Sequence, residues 1–168
     1  MTYIMMKIAT NFTEIKNIKK TIHYKLLDGR ILVLSKMHME VHQDVLPYLT
    51  EAGNLCTFSE DKIQKISVNL NRIIGKQTCI PINKDDQIIY KIRKGRKWPS
   101  KFVLNKEPID TSYVTMVIKK TKYDNIYRLI TAYIGNKSER EEFDTNVTNE
   151  EESKRVHEFW NNHALVDI

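Results

Sequence analysis

Two histidines and one polar strand are the groups in this sequence whose types and spacing could do chemistry. His38 and His42 are four residues apart, so on a helix they share a face. In the stretch YRLITAYIG, Thr131 and Tyr133 are two residues apart, so on a strand both hydroxyls point to one side, about 7 Å apart. Such hydroxyls suit a phosphate, because they donate hydrogen bonds to its non-bridging oxygens. Arg128 would face the other side of a regular strand and would reach this phosphate only through a bulge or at the strand edge.

Each of these groups also has a plainer interpretation. The histidine pair could be half of a metal site, but no Cys or carboxylate cluster with familiar spacing completes one, and neither a metal nor a cofactor is predicted. The pair could supply one catalytic imidazole, whose pKa near neutrality suits proton transfer. Otherwise both histidines are half-exposed polar side chains, and the YRLITAYIG strand is a half-buried strand with a polar face.

A basic segment with interleaved aromatic residues follows the middle of the chain. IYKIRKGRKWPSKFVLNK (89–106) holds seven Lys or Arg residues and no acid. Cations hold phosphates and aromatic faces stack bases, so the segment predicts nucleic-acid binding. The predicted contacts are Lys91, Arg93, Lys94, Arg96, Lys97, Trp98 and Lys101. The alternative is a solvated loop whose tryptophan fills the core.

Charge is distributed unevenly along the 168 residues, whose net charge is +6. Residues 1–136 carry 23 Lys or Arg against 12 Asp or Glu, hence +11, whereas residues 137–168 carry 4 against 9, hence −5. A basic body predicts a polyanionic partner, nucleic acid more often than an anionic membrane. A solvated lysine-rich surface would show the same imbalance.

Several classes of protein are excluded by composition. The two cysteines, Cys56 and Cys79, lie in apolar-flanked runs, which favours reduced, buried thiols over a disulfide framework or a zinc site. No run approaches 18 apolar residues, so no membrane span is predicted. The N-terminal sequence lacks the pattern of a signal peptide, which predicts a cytoplasmic protein.

The elements that must position these groups follow from periodicity. GRILVLSK (29–36) reads as a strand, and residues 38–53 as a helix ending at Gly53, or as two short pieces because Pro47 is poorly tolerated inside a helix. TFSEDKIQKISVNLNRIIG (57–75) predicts an amphipathic helix that is capped by Thr57 with Glu60, or by Ser59 alone, and ends at Gly75.

The second half predicts strands and a final helix. The strands lie near 78–82, 87–93, 101–104, 113–121 and 126–134, and the turn-like KYDN makes the last two an antiparallel hairpin. Residues 148–166 predict a helix with a capping box of Thr148 and Glu151. We therefore expect a single α+β domain over 1–168, with N-terminal helices packed on an antiparallel sheet meander and a closing C-terminal helix. Residues 1–136 form its basic body, and 137–168 its acidic segment and closing helix.

The strand YRLITAYIG resembles the TAY-type strand near the end of two groups of bacterial toxin ribonucleases. One group is the RNase A-like toxin type of contact-dependent inhibition systems. The other is the barnase–EndoU–colicin–RelE (BECR) assemblage with its phage-associated members. HMEVHQDVLPYLTEAGNLCTFSEDKIQKI is similar to the upstream part of such domains, and the order of the motifs matches over roughly residues 29–135.

The resemblance implies roles for individual residues. It places the early catalytic histidine on His42, or on His38 if the register slips, and phosphate-binding hydroxyls on Thr131 and Tyr133. The acidic continuation with FWNNHALV resembles the phage-associated nucleases and supplies His163 as a second imidazole.

One part of the family pattern is missing. The RNase A-like group has an arginine soon after its histidine, whereas VLPYLTEAG contains none. Arg128, Arg93 or Arg96 would have to replace it, and Arg128 is the predicted charge stabiliser.

The function that the resemblance implies is metal-independent RNA cleavage by a bacterial or phage-associated toxin domain. A base takes the 2′-OH proton, the 2′-oxygen attacks the phosphodiester, and an acid protonates the leaving 5′-oxygen. RNA and a cognate inhibitor or immunity protein are the implied partners, and the cytoplasm, of its own or of a target cell, is the place of action. The alternatives are a non-catalytic nucleic-acid-binding module of a phage or mobile element, and an interaction protein whose acidic stretch (139–152) engages a basic partner or covers its own basic face.

Overall fold

The computed structural model of the protein describes residues 21–35 and 42–167. These residues form eleven strands, two α-helices and one 3-10 helix. The strands are β1 Thr21–Lys25, β2 Ile31–Ser35, β3 Ile63–Asn69, β4 Gly75–Gln77, β5 Cys79–Pro81, β6 Ile88–Ile92, β7 Pro99–Val103, β8 Ile109–Thr111, β9 Tyr113–Lys120, β10 Ile126–Ile134 and β11 His163–Val166. The helices are the 3-10 helix Gln43–Tyr48, α1 Leu49–Asn54 and α2 Glu150–Asn161.

The chain folds into two compact units, and the second is inserted into and continues beyond the first. Unit 1 comprises the chain up to Ile74 together with Ser112–Asn136. Unit 2 comprises Gly75–Thr111 together with the chain from Lys137 onward. The candidate catalytic strand β10 therefore belongs to unit 1, and the basic segment 89–106 belongs to unit 2.

Unit 1 is built on a five-stranded sheet in the order β1-β2-β10-β9-β3. Its pairs are antiparallel except for β2 and β10, which run parallel. One face of the sheet buries alternate residues of every strand, such as Leu32, Met116 and Leu129, against the 3-10 helix and α1. We call the other side of the sheet the outward face, since its residues point away from this core.

The predicted helix over residues 57–75 is wrong, because this segment forms β3 and its flanking turns. Ile66, Val68 and Leu70 lie two residues apart and all pack into the core, a strand period hidden within the apolar stripe. Seven residues of β3 pair with β9, and tertiary pairing of this extent overrides a local helical pattern. Gly75, expected to end the helix, instead begins β4.

The predicted helix over 38–53 begins outside the described residues, and from residue 42 onward the chain follows the two-piece alternative. Residues Gln43–Tyr48 form the 3-10 helix, with Pro47 inside it, and Leu49–Asn54 form α1. A Cβ at Gly53 would lie 2.7 Å from Cδ2 of Leu26, so a larger residue there would force the Leu26 side chain to move. The short helices thus press closely against the end of β1 and hold the core side of unit 1.

Unit 2 contains a four-stranded sheet in the order β5-β11-β7-β6 and a separate pair of strands, β4 with β8. Its small apolar core is formed by Ile80, Val103, Ala164 and Val166. Strands β6 and β7 form an antiparallel hairpin, and β11 runs parallel to β7. The basic segment is therefore this hairpin, with β6 at the edge of the sheet.

The C-terminal helix is confirmed, but it does not close the fold. The predicted capping box of Thr148 and Glu151 is wrong by one residue, since the side chain of Asn149 accepts hydrogen bonds from the backbone N–H groups of Glu151 and Glu152. After α2 the chain adds β11, which pairs with β5 and β7. This strand was missed because HALV is only four residues long and continues the apolar pattern of the helix.

The mixed α+β class is thus confirmed, together with six predicted strands and the β9–β10 hairpin. The expectation of an all-antiparallel meander under N-terminal helices is wrong in detail. Two strand pairs are parallel, and the helices described before β3 amount to one short 3-10 helix and one short α-helix.

Candidate functional site

A β-bulge in β10 decides which way its polar side chains point. Leu129 lies opposite Ile118 on β9, and Thr131 lies opposite the very next residue, Val117, so Ile130 is an extra residue without a counterpart. The bulge shifts the alternation by one, and the core-facing residue after it is Ala132, which is fully buried.

The bulge places Arg128, Thr131 and Tyr133 together on the outward face. The regular alternation expected from the sequence, with Thr131 beside Leu129, is therefore wrong. Arg128 was expected to lie on the same side as the two hydroxyls only if the strand contained a bulge, and β10 contains one. Arg128 is exposed, and Thr131 and Tyr133 are half-buried.

The outward face carries a pair of like charges. Arg128 on β10 lies directly opposite Lys119 on β9. Within residues 21–35 and 42–167, no carboxylate lies within ion-pair distance of either side chain. Like charges placed opposite each other across two strands destabilise a sheet, so a bound anion would relieve this arrangement.

Next to this cation pair the outward face turns to hydroxyl groups. The row that contains Tyr133 continues through Thr115 on β9 to Ser67 on β3. The hydroxyl of Thr115 donates to the carbonyl oxygen of Gly135 at 2.8 Å and lies 2.8 Å from the hydroxyl of Ser67. Thr115 is fully buried, so its hydroxyl fixes the strand ends rather than offering a donor to a ligand.

His42 lies beside the strand that carries the two predicted phosphate donors. Its backbone N–H donates to the carbonyl oxygen of Ala132 at 3.3 Å, beyond the point where β2 ends. Its own carbonyl accepts from the backbone N–H of Val45 in the first turn of the 3-10 helix, and its side chain is exposed. His38 lies outside the described residues. Of the predicted histidine pair, His42 is thus held by its backbone against the segment Thr131–Tyr133.

A second histidine of unit 1, for which no role was predicted, shares the outward face. His23 on β1 lies opposite Val33, and Val33 lies opposite Arg128. Two strand spacings separate the Cα atoms of His23 and Arg128, roughly 10 Å. Nδ1 of His23 is buried. Its place in the row follows from the parallel β2–β10 pairing, which the expected antiparallel meander does not contain.

His163, the predicted second imidazole, belongs to unit 2 at the start of β11. Its ring stacks on Phe159, with the ring centroids 4.1 Å apart and the planes 3° from parallel. Nδ1 lies 2.8 Å from the carbonyl oxygen of Phe159. A carbonyl oxygen can only accept, so Nδ1 carries the hydrogen and Nε2 is left as the nitrogen able to exchange a proton.

Three of the seven cations in the basic segment of unit 2 pair with carboxylates from elsewhere in that unit, and a fourth donates to a backbone carbonyl. Along its strands, Nζ of Lys91 lies 2.7 Å from Asp167, and Nζ of Lys101 donates to the carbonyl oxygen of Trp160. Lys106 pairs with Asp86 at 2.8 Å. Most of the cations that are dense in the sequence are therefore not available to a ligand.

Arg93 and Trp98 share one carboxylate. Nη2 of Arg93 lies 3.0 Å from Oε1 of Glu141, and the indole N–H of Trp98 donates to Oε2 at 2.8 Å. Nε of Arg93 also donates to the hydroxyl of Ser100 at 3.1 Å. Trp98 is half-buried and its indole N–H is held by a carboxylate, so it does not fill the apolar core of unit 2 as the alternative from the sequence expected.

Three cations at the turn of the hairpin differ from the rest. Lys94, Arg96 and Lys97 are exposed, and no acid of the described chain pairs with them. The guanidinium of Arg96 lies over the Trp98 ring, 5.7 Å from its centroid. Of the predicted nucleic-acid contacts, these are the ones that the structure leaves open.

The two cysteines are free thiols, and both are half-buried rather than fully buried. Burial, followed by the nearby charge of Glu141, raises the pKa of Cys79 to about 12. Burial also raises the pKa of Cys56, although the Arg30 guanidinium opposes this. Both thiols are therefore protonated near neutral pH and are poor nucleophiles.

Neither a metal cluster nor a membrane-spanning helix is found in the part of the chain that the structure describes. No group of three or more His, Cys, Asp or Glu residues there could hold a metal ion. No helix there is long and apolar enough to cross a membrane.

Comparison with known proteins finds no matching family model, no matching curated protein and no matching solved structure.

Proposed function

We propose that the protein is a metal-independent endoribonuclease whose active site lies on the outward face of unit 1. The observation that carries the proposal is the cation pair Arg128 and Lys119, without a carboxylate partner in the described chain, beside Thr131 and Tyr133. Two cations and two hydroxyls on one face suit a phosphodiester and the charge that develops on it during cleavage.

In this proposal His42 acts as the general base. It lies against the strand of Thr131 and Tyr133 and is exposed, so its imidazole is accessible to a 2′-OH. The 2′-oxygen forms a bond to phosphorus as the bond to the 5′-oxygen breaks, giving a 2′,3′-cyclic phosphate and a 5′-OH. The proton taken by the base and the proton given to the 5′-oxygen balance, and no metal is needed.

The general acid is a second imidazole of unit 1. His23 shares the outward face with Arg128, which favours it. His163, the candidate from the sequence resemblance, belongs to unit 2 and stays an expectation of that resemblance. His23→Ala should lower cleavage without lowering RNA binding, whereas His163→Ala serves as the matched control and should leave both unchanged.

A single assay tests the proposal. Purified protein is incubated with a labelled RNA in excess EDTA, and the products are examined for 2′,3′-cyclic phosphate ends. We expect cleavage by the wild type and by a Lys122→Ala control, and none by an Arg128→Ala, Tyr133→Phe variant. An RNA with 2′-O-methyl groups throughout should remain intact, because its 2′-oxygen carries no proton for the base.

A second candidate function is nucleic-acid binding without catalysis. The exposed cations at the β6–β7 turn favour it, because cations can bind phosphates without any catalytic group nearby. RNA that is bound by the wild type but recovered intact would support this function and reject the ribonuclease. A toxin role, an inhibitor or immunity protein and action in the cytoplasm remain expectations from the sequence resemblance alone.

A further inference from the structure

The β6–β7 hairpin separates its cations into two electrostatic classes. Lys91 on β6 and Arg93, which directly follows β6, are paired with Asp167 and Glu141. At the turn, the three cations Lys94, Arg96 and Lys97 are exposed within four positions of the chain. Exposed like charges this close repel one another, and phosphates would offset that repulsion.

The turn itself is held in a defined shape. Gly95 has φ +83°, and a Cβ at that position would meet no atom within 4 Å, so the turn projects away from its neighbours. The backbone N–H of Arg96 donates to the carbonyl oxygen of Arg93 at 3.0 Å and closes the turn. The Glu141 carboxylate fixes both sides of the base of the turn through Arg93 and Trp98.

An acidic segment of unit 2, residues 139–144, forms this support. Beside Glu141, the carboxylate of Glu142 accepts a hydrogen bond from the hydroxyl of Tyr90 at 3.2 Å. Phe143 packs edge-on against the Tyr90 ring, with the centroids 5.9 Å apart. The segment thus holds Arg93, Trp98 and Tyr90 of the hairpin and makes no ion pair with the three cations of the turn.

We propose that the turn of the β6–β7 hairpin is a single-stranded nucleic-acid site. Lys94, Arg96 and Lys97 contact backbone phosphates, and Glu141 restricts the site to them by retaining Arg93. The guanidinium of Arg96 lies over one face of Trp98, and a planar guanidinium of this kind can also stack an unpaired base. Binding here is independent of cleavage, so the proposal goes beyond the ribonuclease and does not rest on it.

The salt dependence of binding tests the number of phosphate contacts. A fluorescein-labelled single-stranded DNA oligonucleotide serves as the probe, since it has no 2′-OH and is not cleaved. Each phosphate contact on a single strand contributes about 0.7 to the slope of log Kobs against log salt. We therefore expect the K94A/R96A/K97A variant of the full chain to lose about 2 from the magnitude of this slope.

A matched control removes the same charge elsewhere in unit 2. Lys84, Lys154 and Arg155 are exposed, and their replacement by Ala changes the net charge equally. If the control reduces the slope as much as the turn variant does, general attraction explains the binding and the proposal is overturned. Circular dichroism of each variant checks that the fold is retained, and single substitutions replace a triple variant that fails to fold.

An anionic membrane is the competing ligand. Vesicles of equal parts phosphatidylserine and phosphatidylcholine are sedimented with the wild type and with the turn variant. Turn-dependent binding to vesicles without turn-dependent binding to the oligonucleotide would overturn the nucleic-acid assignment. Turn-dependent oligonucleotide binding supports it whether or not the RNA assay detects cleavage.

Discussion

The outward face of unit 1 and the β6–β7 hairpin of unit 2 both carry cations without an acidic partner in the described chain, but they arise in different ways. The hairpin holds the densest run of cations in the sequence, yet Asp167, Glu141 and Asp86 pair with three of them. The outward face shows Arg128 opposite Lys119 with no acid of the described chain beside them.

The difference shows that charge density along a sequence does not measure the charge that a ligand meets. The carboxylates that neutralise the hairpin come from positions up to 76 residues away. The cation pair on the outward face is assembled by strand register, which places residues of β9 and β10 opposite each other. In both regions the available charge is a property of the tertiary structure.

The largest effect is expected from His42→Ala, which should lower RNA cleavage by about 10²–10⁴-fold, the usual contribution of a general base. The His42 side chain is exposed, and its structural contact is made by the backbone, so the fold should be retained. The cleavage rate in EDTA is compared with that of His157→Ala, an exposed histidine on α2. Equal rates in the two variants would remove His42 from the mechanism.

A charge reversal on the outward face should separate stability from function. Lys119→Glu converts the like-charged pair with Arg128 into an ion pair, so the free energy of unfolding should rise by about 0.2–1 kcal/mol. RNA binding should weaken, because the phosphate loses one cation and meets an anion. Urea denaturation and oligonucleotide binding measure the two quantities.

Lys122→Glu is the control for this reversal. It makes the same change in charge at the exposed turn that follows β9. A gain in stability equal to that of Lys119→Glu, or a rise in RNA affinity for Lys119→Glu, would contradict the view that the cation pair binds a phosphate.

The sequence predicts the strands of both regions because they are short runs of β-branched and aromatic residues bounded by turns. β9, β10 and their hairpin follow from this texture, with Asn125 at φ 63° in the turn. β3 does not follow from this texture. Its apolar residues fit the spacing of a helix and also that of a strand, and only the pairing with β9 decides between the two.

The candidate sites are less predictable than the strands for a physical reason. The bulge after Leu129 depends on how two strands fit each other, and no local signal in LITAY requires it. The pairing of Glu141 with Arg93 and Trp98 joins residues more than 40 positions apart. Residue types and their local spacing can identify Thr131, Tyr133 and the basic segment as candidates. The face of the sheet on which a side chain lies, and the acids that pair with a cation, follow only from the fold.

A smaller effect is expected from Glu141→Gln on the hairpin. The amide oxygen still accepts the Trp98 hydrogen bond, while the Arg93 guanidinium loses its counterion. One added phosphate contact should steepen the slope of log Kobs against log salt by about 0.7 for single-stranded DNA. Glu158→Gln, an exposed change of equal charge on α2, should leave the slope unaltered. An unaltered slope for Glu141→Gln would show that the carboxylate does not withhold Arg93.

The smallest expected effect tests the position of the Glu141 charge without any ligand. Burial and then Glu141 raise the pKa of Cys79, so Glu141→Gln should lower this pKa and increase the thiolate fraction at alkaline pH. Alkylation of Cys79 by iodoacetamide should therefore accelerate, but only modestly, since burial is the larger cause and remains. Cys56 in unit 1 provides an internal standard, because Glu141 does not contribute to its pKa. Faster alkylation at Cys79 alone would show that the Glu141 charge lies near this thiol in unit 2. Equal acceleration at both thiols would mean instead that the substitution increases the exposure of both cysteines by destabilising the fold.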